Sequence, residues 1–184
     1  MNRIWKPNVT VAALIERDGR FLLVEEETED GVRFNQPAGH LDEGESLVAA
    51  CAREALEETA WSFKPKALVG IYQWPRPRLA AGPSPGEASL GVERSEQPSP
   101  PSSGRGTGGR PSGNITYLRF AFAGELGGHE EGRVLDDGIL RAVWMTPEEI
   151  RATADRHRSP LVSQCVIDYL AGQRFPLELV RHYG

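Results

Sequence analysis

Cysteine is scarce in this sequence, and its scarcity argues against two classes of cross-linked protein. The 184 residues contain two cysteines, Cys51 and Cys165, which lie far apart and form no CxxC-type pair. A disulfide scaffold and a cysteine zinc site both need cysteines that are more numerous and more regularly spaced. We expect both cysteines to be buried as small hydrophobic side chains.

Long apolar runs and an excess of positive charge are also missing. No run approaches the roughly 18 apolar residues of a membrane-spanning helix, and the first residues hold no apolar signal-peptide core. The net charge of −5 argues against a broad nucleic-acid surface. A small anionic substrate remains compatible with this charge, because a bound metal ion reverses the local field. We therefore expect a cytoplasmic monomer with neither a membrane nor a nucleic-acid partner.

Bulky apolar residues are nearly absent from one internal stretch. The whole chain is 39% hydrophobic, enough for one core, so we treat residues 1–184 as a single domain. Residues 75–113, by contrast, consist largely of proline, serine and glycine with scattered arginines. Such a segment cannot bury enough surface to offset its ordering entropy. We predict a disordered insertion between two strands. The alternative is a flexible lid whose arginines reach substrate phosphates: Arg76, Arg78, Arg105 and Arg110.

The most informative stretch that is present combines a glycine-bounded acidic loop with a helix. Residues 39–44 are typical of a loop, and Glu45-Ser46 opens a run of helix formers that continues to Thr59. On this helix three glutamates share an arc of about 100°: Glu54, Glu57 and Glu58. Their mutual repulsion costs a few tenths of a kcal/mol per pair, and a hard divalent cation with phosphate oxygens would offset it. A solvated acidic face is the alternative.

The spacing of the charged residues in this stretch closely resembles the Nudix box. The matching positions are Gly39, Glu45, Arg53-Glu54 and Glu57-Glu58. The departures are a small Ala55 at the aliphatic position, Ala60 where the family usually has glycine, and Trp61 at the closing position. Ala60 costs little if the helix end tolerates a right-handed conformation, but it leaves the usual glycine stop missing.

The resemblance implies a fold, a reaction and a set of roles. The fold would be an α/β/α sandwich with a mixed central sheet, interrupted by the insertion. The reaction would be hydrolysis of a substituted diphosphate with Mg²⁺, or Mn²⁺ as the alternative. The metal ligands would be Glu54, Glu57, Glu58 and the Gly39 carbonyl, while Glu45 and Arg53 would tie the loop to the helix. The general base would be one of these glutamates or an acid on a later loop, with Asp136 and Asp137 as candidates.

Several other stretches resemble one branch of the family, the NudJ-type phosphatases. They are residues 6–12, 35–41, 73–74, 158–162 and 172–178. This resemblance implies release of inorganic phosphate from nucleoside di- and triphosphates and from thiamin-related pyrophosphates. Four residues are candidates for lining the base or ring pocket, although packing roles stay open: Gln36, His40, Gln73 and Trp74. Two other functions remain open, namely cleavage of an inner anhydride and a non-catalytic nucleotide sensor.

The remaining secondary structure is predicted from residue pattern and turn signals. We expect strands at 9–15 and 21–25 around an Asp18-Gly19 turn, an acidic loop at 26–33, and two strands within 64–74. Later strands are expected at 114–123 and 141–145. A capping box at residues 146–149 predicts a short helix to about residue 154, and Ser159-Pro160 begins another that ends before Gly172.

Overall fold

The computed structural model describes residues 5–76 and 115–184. The strands are β1 (Asn8–Leu14), β2 (Glu16–Arg17), β3 (Arg20–Thr28), β4 (Gly31–Asn35), β5 (Ala38–His40), β6 (Trp61–Arg76), β7 (Ile115–His129) and β8 (Ile139–Met145). The helices are α1 (Leu47–Thr59), α2 (Pro147–Ala152) and α3 (Leu161–Leu170), with short 3₁₀ turns at Ala154–Arg156 and Leu177–Leu179.

The strands form two sheets, and the first of them is mixed. Its strand order is β5-β1-β7-β6, with β1 and β7 parallel and the other pairs antiparallel. In the second sheet β3 pairs with β2, β4 and β8, always antiparallel. The predicted α/β class with a mixed sheet is therefore confirmed.

Strand β1 lies at the centre of the layers because its residues are apolar on both faces. Ala12 and Leu14 belong to the hydrophobic cluster that includes α3. Val11 and Ala13 belong to the opposite cluster, which includes α1. Successive strand residues point to opposite faces, so one uninterrupted apolar run contacts both helical layers.

Two predictions about strands were wrong, and cross-strand pairing explains both. The acidic stretch 26–33 is not a loop, since β3 and β4 extend through it and only residues 29–30 turn. The stretch 64–74 is not two strands but part of the single 16-residue β6. Its pairing with β7 shifts register three times, which keeps one long strand in contact with the curved sheet.

The predicted insertion begins later than its composition suggested. Pro75 and Arg76 continue β6 and pair with Thr116 and Ile115 of β7. Because β6 is the outer strand of its sheet, proline is tolerated there. The prediction of disorder for residues 77–113, like the alternative lid role of Arg78, Arg105 and Arg110, lies outside the described residues.

The end of α1 does not meet the condition under which Ala60 would cost little. Ala60 adopts the left-handed region with φ 59°, not the right-handed one. Its N–H donates to the Leu56 carbonyl at 2.9 Å, and its own carbonyl accepts from Glu130 N–H at 2.8 Å. These two bonds fix the turn into β6 even though the left-handed conformation costs a non-glycine residue roughly 1–2 kcal/mol.

Other local predictions are confirmed. Asp18 and Gly19 both have positive φ, as a two-residue hairpin turn with right-handed strand twist requires. Cys51 and Cys165 are free and buried, and burial raises the pKa of Cys165 to about 11. Within the described parts of the chain, no helix has the length and apolar content to cross a membrane.

The capping box of α2 provides a test of local stability. Thr146 Oγ1 accepts from Glu149 N–H at 3.2 Å, and the Glu149 carboxylate accepts from Thr146 N–H at 2.7 Å. We expect Thr146→Ala to cost about 1 kcal/mol, which lowers Tm by roughly 2–4 °C in a protein of this size. Thr146→Ser keeps the acceptor oxygen and should stay close to the wild type. Equal losses in the two variants, measured by thermal unfolding, would contradict the assigned cap.

Candidate active site

The short strand β5 and helix α1 approach each other closely at the predicted glycine. A Cβ atom on Gly39 would lie 2.2 Å from the carboxylate atoms of Glu54, so only glycine fits while Glu54 keeps this position. One residue earlier, Ala38 N–H donates to the Glu58 carboxylate at 2.8 Å. The backbone of β5 therefore lies directly against two of the three helix glutamates.

Arg53 connects the loop to the carboxylate face of α1. Its Nε and Nη2 donate to both carboxylate oxygens of Glu45, each at 3.0 Å. Its Nη1 donates to Glu54 at 2.8 Å and to Glu57 at 2.9 Å, while Nη2 also donates to the His40 carbonyl at 3.1 Å. The bonds to Glu45 are the main cause of the raised pKa of Arg53, and they lower the pKa of Glu45. The structure thus joins Glu45 and Arg53 as the box resemblance implies.

Two of the glutamates are buried, which makes their negative charge costly. Burial raises the pKa of Glu58 to about 9; the Ala38 N–H opposes this rise, and the charges of Glu54, Glu26 and Asp136 add to it. Burial also raises the pKa of Glu54, although Arg53 opposes it. Carboxylates crowded in this way are stabilised when a cation joins them.

The donor set fits a hard divalent cation in its chemistry. Glu54, Glu57 and Glu58 provide carboxylate oxygens, and the carbonyl of Gly39 lies on the adjoining strand β5. Oxygen ligands of these two kinds are the ones that Mg²⁺ and Mn²⁺ prefer. Among residues 5–76 and 115–184, no three side chains of the aspartate, glutamate, histidine or cysteine type are already arranged to hold a metal ion. In this structure Arg53 forms ion pairs with Glu54 and Glu57.

The loop between β7 and β8 brings one of its predicted acids to the site. Asp136 N–H donates to the Glu57 carbonyl at 3.1 Å, and the Asp136 charge contributes to the raised pKa of Glu54 and of Glu58. Both aspartates are exposed, and none of the hydrogen bonds or ion pairs found in the described part of the chain joins either side chain to these glutamates. The Asp137 charge is not among the causes of the raised pKa of Glu54 or of Glu58. Of the two base candidates, Asp136 is therefore the one beside the carboxylates.

A cavity of about 210 Å³ opens on β5. Gly39, His40 and Trp74 are among its lining residues. The Trp74 and Tyr117 rings stack with centroids 5.8 Å apart and planes inclined by 24°. An aromatic wall of this kind provides a face on which a flat ring can stack.

Two of the predicted pocket residues do not line this cavity. Gln36 is buried, donates to the Val162 carbonyl at 2.8 Å and accepts from Arg119 at 3.2 Å, so its amide joins α3 to β7. Gln73 is exposed, because it points away from the face of β6 that carries Trp74. Gln36 and Gln73 stand next to motif residues in the sequence, but this position does not indicate which face of its strand or loop each side chain occupies.

Most of the polar lining of the cavity was not predicted. The lining residues without a predicted pocket role are Thr10, Glu26, Asn35, Arg76, Tyr117, Arg119, Arg158 and Ser159. Four of them lie in stretches that resemble the NudJ branch (Thr10, Asn35, Arg158 and Ser159), and Arg76 was considered only as part of a lid. Arg119 had one usable signal, since it is the single charged residue in the predicted strand 114–123. It is buried and donates to Asn35 at 3.3 Å.

Comparison with known proteins agrees with this architecture. The model of the NUDIX domain matches residues 5–165. The chain is 34% identical over 181 residues to Phosphatase NudJ of Escherichia coli O1:K1 / APEC, covering 98% of this chain and 95% of that protein. The Phosphatase NudJ of Shigella flexneri matches with the same identity and coverage.

Solved structures show the same relationship. A NUDIX hydrolase from Nitrosomonas europaea is 43% identical, with a TM-score of 0.75 and coverage of 97% of this chain and 98% of that one. The MutT protein from Methanosarcina mazei Go1 has a TM-score of 0.57 at 18% identity, covering 94% of this chain and 100% of that one, and shows the fold alone. Because the domain match, the relatives and the geometry of the box agree, this chain belongs to the Nudix family and is a phosphohydrolase.

Proposed function

We propose that this enzyme hydrolyses the terminal phosphoanhydride of nucleoside di- and triphosphates and of thiamin-related pyrophosphates, releasing inorganic phosphate. The observation that carries the proposal is the cluster of three glutamates on α1, of which Glu54 and Glu58 lie against the backbone of β5 and Glu57 is bound by Arg53. The near full-length similarity to proteins named Phosphatase NudJ supports attack at a terminal phosphorus. Nudix hydrolases generally use divalent metal ions, and we propose Mg²⁺, with Mn²⁺ as the alternative.

The residues of the chain divide into holding and orienting roles in this proposal. Glu54, Glu57, Glu58 and the Gly39 carbonyl would hold the metal. When bound, a divalent cation neutralises phosphate oxygens and acidifies a water molecule. Arg53 keeps Glu57 in place through its 2.9 Å bond.

A general base must take the proton of the attacking water. We propose Glu57 for this role, with Asp136 as the alternative because it lies beside the same carboxylates. Water oxygen then bonds to the terminal phosphorus while the bridging anhydride oxygen leaves with the shortened substrate. The atoms balance with one water consumed and one orthophosphate formed.

Product analysis tests the proposed bond cleavage. The protein is incubated with Mg²⁺ and GDP, GTP, thiamin pyrophosphate, ADP-ribose or a dinucleoside polyphosphate, and every phosphorus product is identified by ³¹P NMR. We expect orthophosphate from the first three and intact ADP-ribose. Nucleoside monophosphate with pyrophosphate, or cleavage of ADP-ribose alone, would keep the phosphohydrolase and overturn the choice of bond.

Removing one carboxylate tests the assignment of the glutamates. Glu57→Gln keeps the shape of the side chain and one oxygen, but it removes the negative charge expected to hold metal or accept a proton. We expect a loss of kcat of roughly 10²-fold or more, the lower range for a positioned acid or base. Glu148→Gln, at an exposed position of α2, is the matched control and should keep full activity. Full turnover by Glu57→Gln would remove its catalytic role.

The close approach at Gly39 gives a second activity test. In Gly39→Ala the new Cβ overlaps the end of the flexible Glu54 side chain, which can swing away while the fold is kept. A misplacement of about 1 Å costs roughly 10²-fold in rate, so we expect such a loss in kcat with little change in Tm. Gly128→Ala is the control, because its Cβ meets nothing within 4 Å. An active Gly39→Ala enzyme would show that Glu54 need not occupy this position.

A further inference from the structure

Buried polar atoms without partners concentrate in one place. Across the described residues, three buried side-chain atoms lack a hydrogen-bond partner: Thr10 Oγ1, Glu26 Oε1 and Ser159 Oγ. All three residues line the 210 Å³ cavity beside Gly39. A buried polar group left without a partner costs roughly 1–3 kcal/mol. Three such groups around one cavity indicate that the cavity is built for a polar occupant.

The carboxylate of Glu26 is the charged member of this set. The nearest basic atom to its Oε1 is Arg158 Nε at 3.9 Å, which is beyond hydrogen-bond distance. Arg119, which also faces this carboxylate, donates instead to the amide oxygens of Gln36 and Asn35. Burial raises the pKa of Glu26, while the charges of Arg158 and Arg119 and a hydrogen bond with the Asn35 side chain oppose this rise. Within the described residues Oε1 itself has no hydrogen-bond partner, so it keeps acceptor capacity.

The other lining groups restrict the shape of the occupant. The stacked Trp74 and Tyr117 rings form a flat wall, and the cavity volume is several times the roughly 30 Å³ share of one water in the liquid. A planar ring on this wall fills such a space and brings its polar edge to the opposite lining. Base–aromatic stacking contributes roughly 1–3 kcal/mol.

The position of the cavity connects it to the phosphate chemistry. Gly39 lines the cavity and is also the residue against which the Glu54 carboxylate packs. A substrate with its ring in the cavity would thus have its phosphates directed toward the glutamates of α1. The ring and phosphate ends would lie on the two sides of the three-residue strand β5.

We propose that this cavity binds a flat nitrogen heterocycle that carries an amino group, and that Glu26 is the residue that selects the amino group. A carboxylate accepts hydrogen bonds and donates none, so it favours N–H groups over a ring carbonyl at the same place. The Thr10 and Ser159 hydroxyls can donate to the adjoining ring nitrogen. This inference depends on the proposed function in one respect only, which is the expected position of the substrate phosphates.

The test compares nucleotides that differ by one amino group. The pairs are CTP with UTP, in which an amino group becomes a carbonyl, and GTP with ITP, in which it is lost. We expect at least one pair to show a roughly 10- to 100-fold preference in kcat/KM for the amino form, the range of one hydrogen bond to a charged group. Glu26→Gln should abolish that preference, because its amide can donate as well as accept.

Two further variants separate recognition from folding. Glu27→Gln changes the next residue of β3, which points to the opposite, exposed face, and should keep the preference. Trp74→Ala removes the stacking face, so KM should rise for both members of a pair while their ratio is kept. Glu27→Gln acting like Glu26→Gln would overturn the proposal, as would a preference that survives in Glu26→Gln.

Binding measurements keep this test independent of hydrolysis. Affinities for CMP and UMP, and for GMP and IMP, are measured by calorimetry without metal. A preference for an amino form that Glu26→Gln removes supports the inference even if no orthophosphate is released. Equal affinities within both pairs, together with equal hydrolysis of all four triphosphates, would indicate a cavity filled by water and would overturn the inference while leaving the phosphatase proposal intact.

Discussion

The guanidinium of Arg53 is the interaction on which the arrangement of the site depends. It binds both oxygens of Glu45, one oxygen each of Glu54 and Glu57, and the carbonyl of His40. A planar group with five donors can serve these acceptors together, whereas a lysine could not. Through these bonds the loop after β5 is held against α1, and Glu54 and Glu57 share one guanidinium group. A bound cation would offset the mutual repulsion of the crowded carboxylates.

The rest of the scaffold serves to present β5 to that helix. Strand β1 is apolar on both faces, so it packs between the cluster that includes α1 and the cluster that includes α3. Its outer neighbour β5 is thereby placed with one side toward Glu54 and Glu58 and the other toward the cavity. A three-residue strand thus lies between the glutamates of α1 and the cavity.

Prediction was most accurate where the physical signal is local. The capping box of α2, the Asp18-Gly19 turn and the acidic face of α1 depend on residues within four positions of one another. Prediction was wrong where pairing with a distant strand decided the outcome. The acidic residues 26–33 have turn-like composition, yet β3 and β4 continue through them because their backbones pair with each other and β3 also pairs with β8. The left-handed Ala60 likewise depends on a bond from Glu130 that no local pattern indicates.

By itself, the sequence determined the family, the helix that carries the glutamates and the arginine that orients them, because their spacing is set by the period of one helix and its preceding loop. Only the tertiary structure decided what lines the cavity beside Gly39. Thr10, Glu26 and Ser159 come from β1, β3 and the approach to α3. Thr10 and Ser159 lie in stretches that resemble the NudJ branch, but nothing in their spacing indicated a shared cavity. The tertiary structure also decided that Gln36 is a packing residue and that Gln73 faces away. The physical reason is that the cavity is formed by side chains from distant strands, whose meeting depends on sheet order and register.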